Sequence, residues 1–366
     1  MKIATLPGFE FQLMGNDLAN AIGLEFVASV PTTENLLLFG DQISPDNWCL
    51  DVKAIFGSIV KAIESGADTI FLFHYAYPVI NYGPCLLPWA CDNYFDVAIK
   101  KMFPEKDIAI FSGAWWNLTV VSLNITKALK KRGLNSPDMV FKIKKSLEKS
   151  WKKICLFQEA KDMYYEIGAV DYAKFSPMYK NLKNIIYNEN DYQTVATATK
   201  KFIDSLVKEK IKTSKLTKIG VFGDFYSLSL EHYPFFNIEE LLMKDLGVSL
   251  IQPFTFFSVF DKKQVNLLKK YREKTQKHIK YWMGGSDYYT IPMTLLLKDK
   301  KVDGIVHASV FSCHPEAICS NVFKMIDSDE GLPPILELTF DSHTQIEAVK
   351  VRLEAFVDML NAKKNI

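Results

Sequence analysis

Apolar residues along this chain fall into two patterns. Short unbroken runs alternate with stretches in which hydrophobic positions recur every three to four residues. The runs at 2–6, 25–30 and 69–73 read as strands, and helices are expected over about 11–22, near 35–39 and over 54–65. The same alternation returns after Lys218. There, strands are expected at 219–222, 248–253, 304–310 and 335–340, with helices over 238–245 and from about 345 to 360. Strands buried on both faces read as near-continuous apolar runs, and the helices between them cover the two faces of a parallel sheet. The prediction is an α/β protein of two doubly wound, flavodoxin- or Rossmann-like domains. Their spans are 1–126 and 218–366, joined by a helical connecting region over 127–217. Beyond a loose similarity between the two halves, no internal repeat stands out.

Composition agrees with two cores: 366 residues with 48% hydrophobic side chains are enough to bury both. The 44 basic and 42 acidic residues leave a net charge of +2, too little field to hold a nucleic-acid backbone or an anionic membrane surface. The connecting region is the exception. Residues 127–153 carry ten Lys/Arg against two acidic residues, which reads as a set of solvated helix faces. No apolar run approaches the ~20 residues that span a bilayer. The start, MKIATLPGFEFQL, lacks the basic, apolar and small-residue regions of a secretory signal. A cytoplasmic location is therefore expected, where thiols stay reduced and cysteines serve as metal ligands, reactive groups or core residues.

Three of the six cysteines lie in turn-rich segments. Cys49, in Ser44-Pro-Asp-Asn-Trp-Cys-Leu, precedes a helix, where the helix dipole and unpaired N–H groups favour a thiolate or a bound anionic group. Cys85, in Asn81-Tyr-Gly-Pro-Cys, follows the strand at 69–73, and Cys313, in Phe311-Ser-Cys-His-Pro-Glu, follows the strand at 304–310. Both are expected at the carboxyl edge of a sheet, the side on which open α/β sheets bind ligands. Cys91 and Cys319 each stand six residues further on. An extended loop would let Cys91 reach the same site, whereas a helix would turn Cys319 away from Cys313. Cys155 is expected on an apolar helix stripe, as a core residue. Asp341-Ser-His-Thr, after the last strand, offers Asp341 and His343 to a ligand at that edge, while Ser342 or Thr344 reads as a helix cap. Gly284-Gly285-Ser286 reads as a turn into a helix sooner than as a phosphate cradle. P-loop, zincin and nucleophile-elbow motifs are absent, and Gly220-Val-Phe-Gly lacks the third glycine of a dinucleotide fingerprint.

These pieces, in order, resemble the 2-hydroxyacyl-CoA dehydratase component family, especially single-chain relatives that accompany CoA-enzyme activases. The N-terminal half contributes Pro31-Thr-Thr, Ser44-Pro-Asp-Asn-Trp-Cys-Leu-Asp-Val-Lys, Gly66-Ala-Asp-Thr-Ile and Gly83-Pro-Cys. From the C-terminal half come Lys218-Ile-Gly-Val-Phe-Gly-Asp, Val302-Asp-Gly-Ile-Val-His, Phe311-Ser-Cys-His-Pro-Glu and Pro334-Ile-Leu-Glu-Leu-Thr-Phe-Asp-Ser-His-Thr, with Arg352-Leu-Glu-Ala-Phe-Val-Asp. The resemblance implies an oxygen-sensitive iron–sulfur cluster, [4Fe-4S] or double-cubane in type, between the two domains and ligated by Cys49, Cys85 and Cys313. Cys91 and Cys319 are auxiliary candidates, and His314, Asp341 and His343 flank the substrate. It further implies low-potential electrons from an ATP-dependent iron–sulfur activase, reduction or dehydration of an acyl-CoA or small-molecule substrate, and a homodimer or heterodimer. Where relatives often read Cys-Gly-Pro-Cys this chain has Tyr82-Gly-Pro-Cys, one thiol fewer, and where they read Gly-Glu-Ala-Gly it has Gln345-Ile-Glu-Ala. An accessory or assembly protein of the same fold, binding a redox-enzyme partner, is the alternative reading.

Overall fold

A computed structural model describes residues 1–74, 86–114, 118–223, 238–252, 262–279, 281–282 and 285–364. Its contacts divide the chain into two compact units, Met1–Lys152 and Lys153–Ile366. The division falls inside one long helix, so the lysine-rich region is shared between the units.

The first unit runs β1 (Lys2–Thr5), α1 (Phe9–Ile22), β2 (Glu25–Phe26), α2 (Glu34–Ile43), α3 (Leu50–Glu64), β3 (Thr69–His74), α4 (Leu86–Met102), β4 (Ala109–Ala114) and α5 (Leu118–Lys131), then enters α6 (Met139–Ile167). Its four strands are all parallel, in the order β2-β1-β3-β4. The strand expected at 25–30 keeps its ladder for only two residues. Thr33 caps α2 by accepting from the Leu36 N–H, and α1 ends at Gly23 in the left-handed conformation (φ 72°) that glycine adopts without a Cβ penalty. α2 and α3 approach closely because Gly40 stands where any Cβ would collide with the Lys53 carbonyl.

The second unit begins within α6 and continues through α7 (Tyr172–Asn188) and α8 (Tyr192–Val207), capped by Asp171 and Asp191. A stack of Tyr164 on Tyr179, centroids 4.3 Å apart, packs these helices together with Phe157 and Phe202. The sheet follows: β5 (Lys218–Gly223), a helical turn Ile238–Glu240 widening to a π turn over Leu241–Asp245, β6 (Ser249–Ile251), α9 (Lys262–Thr275), α10 (Asp287–Asp299), β7 (Gly304–Val310), α11 (His314–Glu330), β8 (Ile335–Phe340) and α12 (Ile346–Lys364). Strand order is β6-β5-β7-β8, again all parallel.

The chain is thus an α/β protein with two doubly wound parallel sheets, and the likeness between its halves is closer than the sequence suggests. Ile3 pairs with Phe26 and Thr69 in the first sheet, as Ile219 pairs with Leu250 and Gly304 in the second. Each central strand opens on the same polar anchor. The Lys2 N–H donates to Asp68 Oδ2 at 3.2 Å, and the Lys218 N–H donates to Asp303 Oδ2 at 2.7 Å.

Two expectations for the connecting region need correction. Cys155 is exposed, because the buried stripe of α6 runs Ile143, Leu147, Ser150, Ile154, Phe157, Lys161, Tyr164, in the three-four spacing of one helix face, and Cys155 lies one residue off it. Nor are all the lysines solvated. Lys142 and Lys144 pair with Asp138 and Glu148 on the surface, but Lys161 lies on the stripe and Lys153 beside it, and both are buried. Among the described residues no helix is long and apolar enough to cross a membrane.

Candidate functional site

Helices that cross between parallel strands run antiparallel to them, so their amino ends lie at the carboxyl edge of the sheet. Two of the predicted cysteines stand at such ends. Cys49 is the N-cap of α3, which leads into β3, and Cys313 is the N-cap of α11, which leaves β7 after a three-residue turn. Neither side chain makes a capping hydrogen bond. First-turn N–H groups and the helix dipole at these positions favour negative charge on sulfur by about 0.3–1 kcal/mol each.

Cys49 is buried over an aromatic cluster. Trp48 lies 6.1 Å from Phe56 of α3 and 4.7 and 5.7 Å from Tyr94 and Phe95 of α4, which fixes the start of α3 against its neighbour. Cys313 is half-buried, with its Sγ 4.0 Å from Ser286 Oγ. Ser286 is itself the N-cap of α10, entered through Gly285 at φ 107°, so Gly285-Ser286 does lead into a helix, while Gly284 lies outside the described residues. Immediately before Cys313, Ser312 holds φ 66°, a left-handed conformation that costs a residue with a Cβ about 1 kcal/mol or more. The turn is closed by the Cys313 N–H donating to the Val310 carbonyl at 3.1 Å.

Cys85 lies outside the described residues. Cys91 falls within α4, so it does not stand in an extended loop, and its side chain is outside what is described. Cys319 is fully buried in α11, one and two-thirds turns beyond Cys313, and burial pushes its thiol well up, with the Glu316 carboxylate adding to the effect. His314 is the first residue of α11 and is exposed. Asp341 closes a tight turn, accepting from the His343 N–H at 2.9 Å and from Thr344 Oγ1 at 2.8 Å, while its own N–H donates to Thr344 Oγ1 at 2.8 Å. Asp341 and Thr344 therefore shape the approach to α12, and the His343 ring is exposed above them.

Beneath Cys313 lies a polar group that the sequence did not single out. His307, in the middle of the fully buried strand β7, brings Nε2 to 2.6 Å from Glu316 Oε2 on α11, and both side chains are 1% exposed. The other Glu316 oxygen lies 2.9 Å from Thr290 Oγ1 of α10, which is also 3.1 Å from the Gly223 carbonyl at the end of β5; its single proton serves one of these at a time. Gly223 admits no Cβ, which would strike the Ala308 carbonyl. On the far side, His307 Nδ1 faces Glu337 Oε2 at 3.8 Å, an ion-pair distance too long for a hydrogen bond, and Ser320 donates to Glu337. Burial alone would depress the imidazole, but Glu316 and then Glu337 outweigh it and raise His307 from 6.5 to about 9. In return, His307 leads the groups that lower Glu337 from 4.5 to about 2. Phe222 and Phe323 close over the ring at 5.5 and 5.0 Å.

This network escapes a sequence reading because a lone histidine in an apolar run reads as core. The usable signal was the pairing of that histidine with an acid in the first turn of the next helix.

Thiolates at helix amino ends suit a soft metal or an anionic iron–sulfur cluster, so Cys49 and Cys313 fit such a group in kind. Among the described residues no three His, Cys, Asp or Glu side chains gather in a metal-holding arrangement. Compared with known proteins, the chain matches no family model and no curated sequence.

Proposed function

We propose that the protein is an iron–sulfur electron-transfer component of the 2-hydroxyacyl-CoA dehydratase or reductase type, working in the cytoplasm. The observation that carries the reading is that each unit has a cysteine capping a helix at the carboxyl edge of its own parallel sheet, Cys49 before the third strand of the first and Cys313 after the third strand of the second. Cys49, Cys85 and Cys313 hold the cluster, with Cys91 and Cys319 as the remaining thiols of the same segments. Three thiolates on four irons leave one iron open to a substrate oxygen or another small ligand. His314, Asp341 and His343 flank the substrate, an acyl-CoA thioester or a small molecule, and the electrons come from an ATP-dependent iron–sulfur activase.

Residue chemistry near Cys313 supports such a role. A half-buried thiol at a helix amino end, next to the hydroxyl of Ser286, is held in a polar setting where an anionic ligand is tolerated. The imidazole of His314, adjacent in the chain, is exposed at the first position of α11.

Anaerobic purification followed by iron and acid-labile sulfide analysis tests the reading. A coloured protein with both elements, losing them when Cys49, Cys85 and Cys313 are replaced by Ala, is the expected result. Colourless, iron-free protein from an anaerobic preparation would sink it.

A further inference from the structure

The two units provide an internal control for the buried network in the second. Thr69 and Gly304 hold the same register against the central strands, so His307 on β7 corresponds to Leu72 on β3. Its cross-strand partner Glu337 corresponds to Ser112, and Glu316, third residue of α11, corresponds to Pro88, third residue of α4. One plan therefore folds with a buried leucine at the position where the other buries an ionisable pair, His307 and Glu316. Burying such a group carries a desolvation cost that well-packed apolar residues avoid. Since the fold forms without it, the network's role lies in something particular to the second unit.

That particular thing is the start of α11. An acid at the third position of a helix ordinarily reaches back to the N-cap N–H. Here Glu316 turns inward, tied to β7 through His307 and to α10 through Thr290, and the N-cap N–H is taken by the Val310 carbonyl instead. Three elements are thus pinned at one carboxylate, a single helical turn from Cys313 and the strained Ser312. We infer that Glu316 and His307 are positioning residues, which hold the first turn of α11 so that the Cys313 thiol stays beside Ser286 at the sheet edge.

The inference rests on Cys313 being the working thiol of its unit. Its test reads the rate at which a maleimide labels Cys313 in the full-length, chelator-treated chain, with exposed Cys155 as the internal reference. In Glu316→Ala the anchor is gone, and Cys313 labelling is expected to rise several-fold while Cys155 is unchanged. Glu316→Gln keeps both hydrogen bonds and is expected to return the rate to that of the parent. The decisive variant is His307→Leu/Glu316→Leu, which copies the apolar character of the first unit. It is expected to unfold at an equal or higher denaturant concentration and yet to label several-fold faster at Cys313.

Unchanged Cys313 labelling in Glu316→Ala and in the double variant would overturn the inference. So would equal acceleration at Cys155, which marks general loosening, or failure of the double variant to fold, which would make the network a requirement of the fold. Because the readout needs no metal, iron-free protein would defeat the proposed function and leave this result intact, whereas unchanged labelling would do the reverse.

Discussion

The two units share strand order, strand register and an aspartate that receives the first N–H of the central strand, yet they fill the middle of the third strand in opposite ways. In the first, Leu72 is buried and the neighbouring rings of Phe71 and Phe111 stack at 5.7 Å. In the second, His307 sits between two carboxylates. The difference teaches that shape and polarity are separable at this site. Backbone pairing and helix packing define the plan, while the charge beneath α11 is an addition with an energetic cost. The edges differ too. Ser286 caps the helix before the third strand of the second unit, where Cys49 caps its counterpart in the first. At that cap the second unit has a hydroxyl where the first has a thiol.

The largest effect expected from breaking this comparison is His307→Leu alone. It copies Leu72 but strands Glu316, fully buried and without its cation, and should lower unfolding stability by about 3–5 kcal/mol in a denaturant titration. Adding Glu316→Leu should recover all of that loss or more, which only a coupled pair explains.

The next effect is on pH. His307 is raised from 6.5 in the unfolded chain to about 9 when folded. Its contribution is therefore fully present below about pH 6.5 and is lost as pH rises towards about 9, a change on the order of a few kcal/mol. Glu337 has the opposite sign: its carboxylate, lowered to about 2, contributes above about pH 4.5 and ceases to as pH falls towards 2. The second unit should accordingly be most stable between these limits. Its alkaline decline should vanish in His307→Leu/Glu316→Leu, and hydrogen exchange resolved by segment would show no such decline in the first unit.

Smaller changes are expected at the shared anchor. Asp303→Ala removes the acceptor of the Lys218 N–H and of Lys364 Nζ at 2.7 Å, and Asp68→Ala removes the acceptor of the Lys2 N–H and Thr69 Oγ1. Each should lower the stability of its own unit by about 1.5–3 kcal/mol, the range for hydrogen bonds to a charged partner. The smallest is Cys155→Ser, on an exposed helix position, where thermal unfolding should shift by no more than about 0.5 kcal/mol equivalent.

What the sequence revealed of all this follows from how each feature is encoded. The strands β1, β3, β5, β7 and β8 stood out because burial on both faces demands unbroken apolar runs. Ala109–Ala114 did not, since Ser112 and Gly113 interrupt its run and leave no strand signature. The helix start at Cys49 was legible from the Ser, Pro and Asn residues before it, and the sheet-edge place of Cys313 from the strand it follows. The exposure of Cys155 was not, because the buried stripe of α6 includes Ser150 and Lys161 among its seven positions, so the apolar residues alone do not fix which face turns inward. Least legible was the His307 network: His307 is separated by nine and thirty positions from Glu316 and Glu337, and only the register of β7 on β8 brings the second pair together.

The measurement closest to the central claim compares single replacements drawn from the two units under strict anaerobiosis. Iron and acid-labile sulfide should fall sharply in Cys49→Ala and equally in Cys313→Ala, while Cys155→Ala retains the parent's content. Full iron and sulfide in a chain lacking both Cys49 and Cys313 would contradict the account.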